Sequence, residues 1–185
     1  MKKKSIAVVL ALVLLVCCAV GGVLAWLTDT TDPVVNTFTV GNVDITLAES
    51  ENLNLKMVPG QTITKDPKVT VVGGSEACWL FVKVEKSDNL ESFINYAIAD
   101  GWTQLPDVAG VYYREVSASD DSQEFNVLTD NQVTVKTDVT KTMMDNLSKD
   151  NAVQPTLTFT AYACQKAGVT SAADAWAKVN PAPAP

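Results

Sequence analysis

The chain contains no histidine among its 185 residues, and this absence removes most of the common catalytic and metal-binding sites. A serine or cysteine nucleophile has no imidazole base, and a zinc ion has no imidazole ligand. The acidic residues do not form an alternative catalytic or metal-binding site. Asp120 and Asp121 are adjacent and diverge in an extended chain, and Asp29–Asp32 lacks the alternating oxygen ligands and glycine of a calcium loop. We therefore predict no catalytic residue, no metal site and no cofactor.

Basic residues are also scarce, and three of the 14 lie at positions 2–4. Without the first 25 residues, 11 basic and 21 acidic groups remain, a net charge of −10. A chain this acidic is repelled by nucleic acid and by anionic lipid, so we expect no nucleic-acid partner. Arg114 is the only arginine and is a candidate for a structural ion pair.

The N-terminus has the pattern of a secretory leader. Three lysines precede an apolar run from Ile6 to Leu24, and Val23-Leu24-Ala25 supplies a small-residue cleavage site. This order of a basic, an apolar and a small-residue region predicts a signal peptide over residues 1–25, cut between Ala25 and Trp26. The alternative is an uncleaved anchor, because 19 residues in a helix span about 28 Å, close to the hydrocarbon thickness. The protein is thus expected to be secreted, at the cell surface or outside the cell, and membrane-inserted only transiently through its leader.

Cysteine is rare after the leader, where only Cys78 and Cys164 remain. Export permits a disulfide between them. Simple alternation along the predicted strands opposes it, however. Cys78 shares a face with Leu80, whereas Cys164 lies opposite the apolar residues of its own strand. The sequence therefore leaves both alternatives for Cys78 and Cys164, a disulfide and two free thiols.

The composition after residue 25 favours strands, because 20 Val and 19 Thr make up about a quarter of those 160 residues. Apolar alternation bounded by Gly, Pro and Asn predicts strands at residues 36–47, 62–72, 77–85, 102–105, 111–116, 123–127, 132–137 and 157–164. The segments 102–105 and 111–116 flank Pro106–Gly110 and are predicted to form a hairpin.

Helical spacing appears in three places. Leu90, Phe93, Ile94, Ala97 and Ile98 form one helical stripe, with Asp88 and Glu91 resembling a capping box. Thr140 can cap one or two turns that end near Leu147, and Ser171 with Asp174 can cap a short helix through Val179. Strands interrupted by few helices predict a mainly β fold, an antiparallel β-sandwich of jelly-roll type with one or two short inserted helices and a short C-terminal helix.

The predicted organisation has one sandwich domain, residues 36–179, followed by a Pro/Ala-rich tail, residues 180–185. Cleavage after Ala25 frees residues 26–35 ahead of the sandwich. This segment begins with Trp26, Leu27 and Thr28 and ends at Val34 and Val35. It is either a disordered tail or a strand that adds to an open sheet edge, in its own subunit or in a neighbour. Addition between molecules is head-to-tail and produces filaments.

The sequence resembles the TasA/camelysin family of exported proteins, which the SipW type of signal peptidase processes in Gram-positive bacteria. The most specific match joins Gly21–Asp29 to Asn36–Ile45. Looser matches follow at Met57–Pro67, Glu76–Val84 and Thr158–Tyr162.

The resemblance implies a jelly-roll domain and a role as a fibre component of the cell surface or biofilm matrix. It implies that the mature N-terminus, Trp26 to about Val35, acts as the donor strand for the next subunit. Its expected partners are other copies of this chain, the signal peptidase and further matrix proteins. Some members are described as metalloendopeptidases, and that activity does not transfer readily to a chain without histidine. The competing hypotheses are a camelysin-like secreted metalloendopeptidase and a monomeric surface adhesion module.

Overall fold

The computed structural model describes residues 42–50 and 56–180. These residues belong to one compact unit that spans residues 40–185. Within the described ranges the chain forms ten β-strands and two α-helices, and every strand pair is antiparallel. The mainly β, antiparallel fold that the sequence predicts is confirmed.

The strands are β1 (Ile45–Ala48), β2 (Thr62–Thr64), β3 (Lys68–Val71), β4 (Cys78–Lys86), β5 (Ile94–Asn95), β6 (Thr103–Gln104), β7 (Val111–Val116), β8 (Gln123–Asn126), β9 (Gln132–Val135) and β10 (Leu157–Gln165). The helices are α1 (Lys141–Leu147) and α2 (Ala172–Val179).

Two of the three sheets form a sandwich around the main core. One has the strand order β1-β3-β8, and the other has the order β10-β4-β7-β6. Buried side chains from both sheets pack together between them, including Val69 and Val71 of β3 and Leu80 and Val82 of β4. The third sheet, β2-β9-β5, covers a smaller apolar cluster.

The longest central strand, β4, is apolar on both faces because both faces are covered. Cys78, Leu80, Val82 and Val84 point into the sandwich core. Trp79 and Phe81 point the other way, toward α2. Helix α2 begins at the predicted cap, where the Ser171 hydroxyl accepts a hydrogen bond from the Asp174 amide at 3.1 Å.

The Trp176 ring of α2 packs on that outer face of β4. Its centroid lies 5.4 Å from the Phe81 ring, and Trp176 is 7% exposed. The indole of Trp79 also belongs to this outer layer and donates to the Val169 carbonyl at 3.2 Å. Both tryptophans therefore serve packing rather than an exposed aromatic platform.

The helix predicted over Leu90–Ile98 is wrong. The structure has a single 3-10 turn at Leu90–Ser92, and Asn89 begins it without a side-chain cap. The chain then forms β5, where Ile94 pairs with Val135 of β9. Leu90, Phe93 and Ile94 are buried as the pattern requires, but they reach the core from a turn and a strand. Pairing with a distant strand overrides the local helical spacing.

Other predicted elements are present with altered bounds. Residues 62–72 are divided into β2 and β3 at Pro67, which lacks the amide hydrogen of a ladder bond. The hairpin of β6 and β7 is confirmed. Its turn ends at Gly110, where a Cβ atom would lie 2.6 Å from the Val84 carbonyl oxygen, so only glycine fits. The first predicted strand, residues 36–47, is present as β1 from Ile45, and its residues 36–41 lie outside the described ranges.

β8 and β6 are the edge strands at one side of the sandwich. Arg114 of β7 lies there, with its guanidinium 3.9 Å from the centroid of the Phe125 ring and 5.4 Å from that of Trp102. It forms no ion pair with any residue that the structure describes, so the ion pair predicted for it is not found there. Desolvation lowers the pKa of this guanidinium, which serves as packing between two rings.

Candidate functional site

The opposite side of the sandwich carries a long strand at the edge of its sheet. β10 has nine residues and pairs along its whole length with β4, from Leu157 opposite Lys86 to Gln165 opposite Cys78. No described strand is hydrogen-bonded to its other side, and β1, the edge strand of the facing sheet, has Cα atoms within 8 Å of β10. The β6 edge of the same sheet has only two residues. An edge of nine residues is therefore the largest unpaired backbone that the described residues present.

The backbone groups of β10 divide between its two sides. The Ser87 amide donates to the Thr156 carbonyl at 3.0 Å, and the Lys166 amide donates to the Ala77 carbonyl at 2.8 Å. In an antiparallel pair, bonded and non-bonded residue pairs alternate along the ladder. The even-numbered residues of β10 therefore bond to β4. The odd-numbered residues direct their N–H and C=O groups toward the open side, and they are Leu157, Phe159, Ala161, Ala163 and Gln165.

The two faces of β10 are supported from different sides. Leu157, Phe159, Ala161 and Ala163 pack against the sandwich core. The opposite face contacts α2 through Tyr162, whose ring meets the Trp176 ring edge-on at a centroid distance of 5.1 Å. Packing on both faces fixes the strand in an extended conformation, so its outward backbone groups are held in position for pairing.

A groove of about 880 Å³ adjoins one end of this edge. Its wall includes Leu47 and Ala48 of β1, Met57, Ile63 of β2, and residues 154–159 at the start of β10. Exposed apolar residues surround it. Leu47 in the wall is 37% exposed, and Val58 and Val153, next to wall residues, are 45% and 68% exposed. An apolar groove beside an unpaired strand fits an added peptide segment.

The charged residues of the groove are Glu49, Lys56 and Lys65. Lys65 forms an ion pair with Glu49, and the two side chains are 12% and 25% exposed. The Lys65 amide donates to the Asn131 carbonyl at 2.9 Å, which fixes the residue between β2 and β3. Its ammonium lies 5.4 Å from the centroid of the Phe159 ring. A cation is thus held over a β10 residue whose backbone points to the open side.

The two cysteines are free thiols on opposite faces of neighbouring strands. Cys78 lies in the sandwich core at 0% exposure, and Cys164 pairs with Trp79 on the outer face. The bridge that the sequence leaves open is not formed in this arrangement. Burial, followed by the nearby Cys164 thiol, raises the pKa of Cys78 to about 11, so its thiolate is scarce near neutral pH.

The remaining predicted site residues lie outside the described ranges. These are the cleavage pair Ala25 and Trp26 and the donor-strand residues Trp26, Leu27, Thr28, Val34 and Val35. No helix in the described part of the chain is long and apolar enough to cross a membrane. The predicted leader, residues 1–25, lies outside that part.

Fold and edge together define the class: an antiparallel β-sandwich that presents one long edge strand beside an apolar groove. A family model described as "Camelysin metallo-endopeptidase" matches residues 1–92. The chain belongs to the TasA/camelysin family, as its sequence patterns indicate. Members of this family are typically exported. No curated protein and no solved structure matches the chain.

The metal that the family description implies does not fit the residues that the structure describes. Residues 42–50 and 56–180 contain no group of three or more His, Cys, Asp or Glu side chains placed to hold an ion. The whole chain lacks histidine, the ligand that recurs in zinc peptidases. We therefore derive no catalytic step through a metal.

Proposed function

We propose that this chain is a secreted structural protein of the Gram-positive cell surface or biofilm matrix and that it assembles into fibres by strand addition. A signal peptidase of the SipW type cuts between Ala25 and Trp26. The freed segment, Trp26 to Val35, then adds to the β10 edge of a neighbouring copy. Each subunit gives one strand and receives one, so growth is head-to-tail. Other matrix proteins are further partners.

The observation that carries the proposal is the β10 edge, with which no strand of the described residues pairs. It offers the outward backbone groups of five residues over a nine-residue strand, and the freed segment has ten residues. Main-chain hydrogen bonds supply the affinity of strand addition, and adjoining pockets supply its specificity. The groove beside β10 is such a pocket. Membership in a typically exported family agrees with delivery outside the cell.

We propose further that the chain is not an enzyme, although the family description names a metallo-endopeptidase. The described residues lack a metal-ligand cluster, and the buried Cys78 thiol is a poor nucleophile because its pKa is raised. The open edge also disfavours a monomeric adhesion module, because an unpaired strand of this length is a template for self-association.

Removing the donor segment tests the proposal. A chain that begins at Trp26 is expected to form fibres, whereas a chain that begins at Asn36 is expected to remain monomeric. Residues 40–185 form a compact unit of their own, so the shortened chain should keep its circular dichroism spectrum and its unfolding midpoint. Negative-stain microscopy and sedimentation measure the assembly.

The matched control keeps the ten residues but replaces them with a Gly/Ser sequence of equal length, which does not favour a strand. It is expected to behave like the chain that begins at Asn36. Fibres of normal yield from either variant would defeat the proposal.

A further inference from the structure

We propose that Lys65 in the groove wall pairs with Asp32 of the incoming segment and thereby fixes the register in which the neighbour's strand docks. This inference rests on the proposed function, because it assigns a recognition pair within the same assembly site.

The charges of the two surfaces are complementary. The segment Trp26–Val35 contains two acidic residues, Asp29 and Asp32, and no basic residue. The groove carries Lys56 and Lys65 against a single acid, Glu49. Complementary charge across an interface selects the partner and the register more than it adds affinity.

Pro33 determines which acidic residue faces the groove. Every described strand pair is antiparallel, and we take the added strand to follow the same arrangement. In a hydrogen-bonded antiparallel pair, the facing residues have side chains on the same side of the sheet. Pro33 has no amide hydrogen, so it occupies a position whose backbone points away from β10. Asp32 and Val34 then project to the groove side, and Asp29 projects to the opposite side.

Of the registers that Pro33 allows, one covers the whole edge and leaves only Val35 beyond the end of β10. In it, Trp26 lies opposite Gln165, and Val34 lies opposite Leu157, a residue of the groove wall. The same register sets Asp32 opposite Phe159. Directly opposed side chains have Cβ atoms about 4.5–5.5 Å apart.

Phe159 is the residue whose ring lies 5.4 Å from the Lys65 ammonium. An ammonium has three donor hydrogens, and the bond to Glu49 uses one of them, so Lys65 can bind Asp32 while it keeps its intramolecular partner. The position that Pro33 requires, the length of β10 and the position of the Lys65 ammonium therefore all point to the pair Lys65 and Asp32.

Charge reversal in the chain that begins at Trp26 tests the pair. Asp32→Lys is expected to raise the critical concentration for fibre assembly at least about tenfold, because the new ammonium faces the Lys65 ammonium. The matched control is Asp29→Lys, the same substitution on the other face, which is expected to change that concentration less than about twofold. Sedimentation across protein concentrations measures both.

Reversal of the second partner completes the test. Lys65→Glu alone is expected to impair assembly, and Lys65→Glu combined with Asp32→Lys is expected to restore it. Should Lys65→Glu fail to fold beside Glu49, the milder Lys65→Met replaces it. Asp32→Asn is then expected to weaken assembly in the chain with Lys65 but to have no further effect in the chain with Met at that position.

Equal effects of Asp32→Lys and Asp29→Lys would overturn the inference. So would a doubly reversed chain as impaired as Asp32→Lys alone, or an Asp32→Asn effect that is the same with Lys65 and with Met. These results leave the proposed function standing as long as fibres form and need residues 26–35. Failure of the unaltered chain to form fibres would instead refute the proposed function.

Discussion

Replacing Ala161 by proline is expected to stop fibre growth while the single subunit stays folded. The amide of Ala161 points to the open side of β10, so its loss removes no bond to β4. The proline ring also occupies the space that an added strand must enter, which is why proline protects natural sheet edges. We expect the yield of sedimented fibres to fall at least about tenfold, with an unfolding midpoint within a few degrees of the unaltered chain.

The matched control for this prediction is the preceding residue. Thr160 directs its amide toward β4, opposite Lys83, so Thr160→Pro removes a ladder hydrogen bond. That change is expected to lower the free energy of unfolding by about 1–3 kcal/mol or more. Fibres of normal yield from the Ala161→Pro chain would show that β10 is not the receiving edge.

The second large effect is expected at Trp176, where Trp176→Ala should lower the free energy of unfolding by about 3–5 kcal/mol. The indole is 7% exposed and packs between the Phe81 ring at 5.4 Å and the Tyr162 ring at 5.1 Å. Its removal opens a cavity between α2 and the sheet that carries β10. Urea unfolding followed by circular dichroism measures the change.

Lys178 provides the comparison for Trp176, since it lies on the same helix and is exposed. Lys178→Ala is expected to change the free energy of unfolding by less than about 0.5 kcal/mol. A loss below about 1 kcal/mol at Trp176 would mean that α2 is not an integral part of the domain.

Elements with strong local signals could be predicted from the sequence. The alternation of side chains predicted β4, whose two faces are both covered by other parts of the domain and carry apolar side chains. Thr140 and Ser171 marked the starts of both helices, since their hydroxyls accept amide hydrogen bonds within the first turn. Alternation also indicated that Cys78 and Cys164 lie on opposite faces, as the register of β4 and β10 shows.

Elements that depend on distant partners could not be predicted in this way. Leu90, Phe93 and Ile94 suit a helix locally, and only pairing of Ile94 with Val135, 41 positions away, makes the segment a strand. The candidate site likewise has one part with a local sequence signal and other parts that depend on residues far apart in the sequence. The composition of residues 26–35 suggested a strand that can be added, but no local pattern reveals that β10 lies at a sheet edge. Lys65 and Phe159 are 94 positions apart, so their contact becomes visible only in the fold.

Residue-resolved hydrogen exchange on β10 tests the central claim most directly, because it reads the backbone groups that the added strand is proposed to bond. In the single subunit, the amides of the even-numbered residues should be protected and those of Phe159, Ala161 and Ala163 should exchange quickly. In fibres of the chain that begins at Trp26, these three amides are expected to become protected as well. Fibres in which they exchange as quickly as in the single subunit would contradict strand addition at β10.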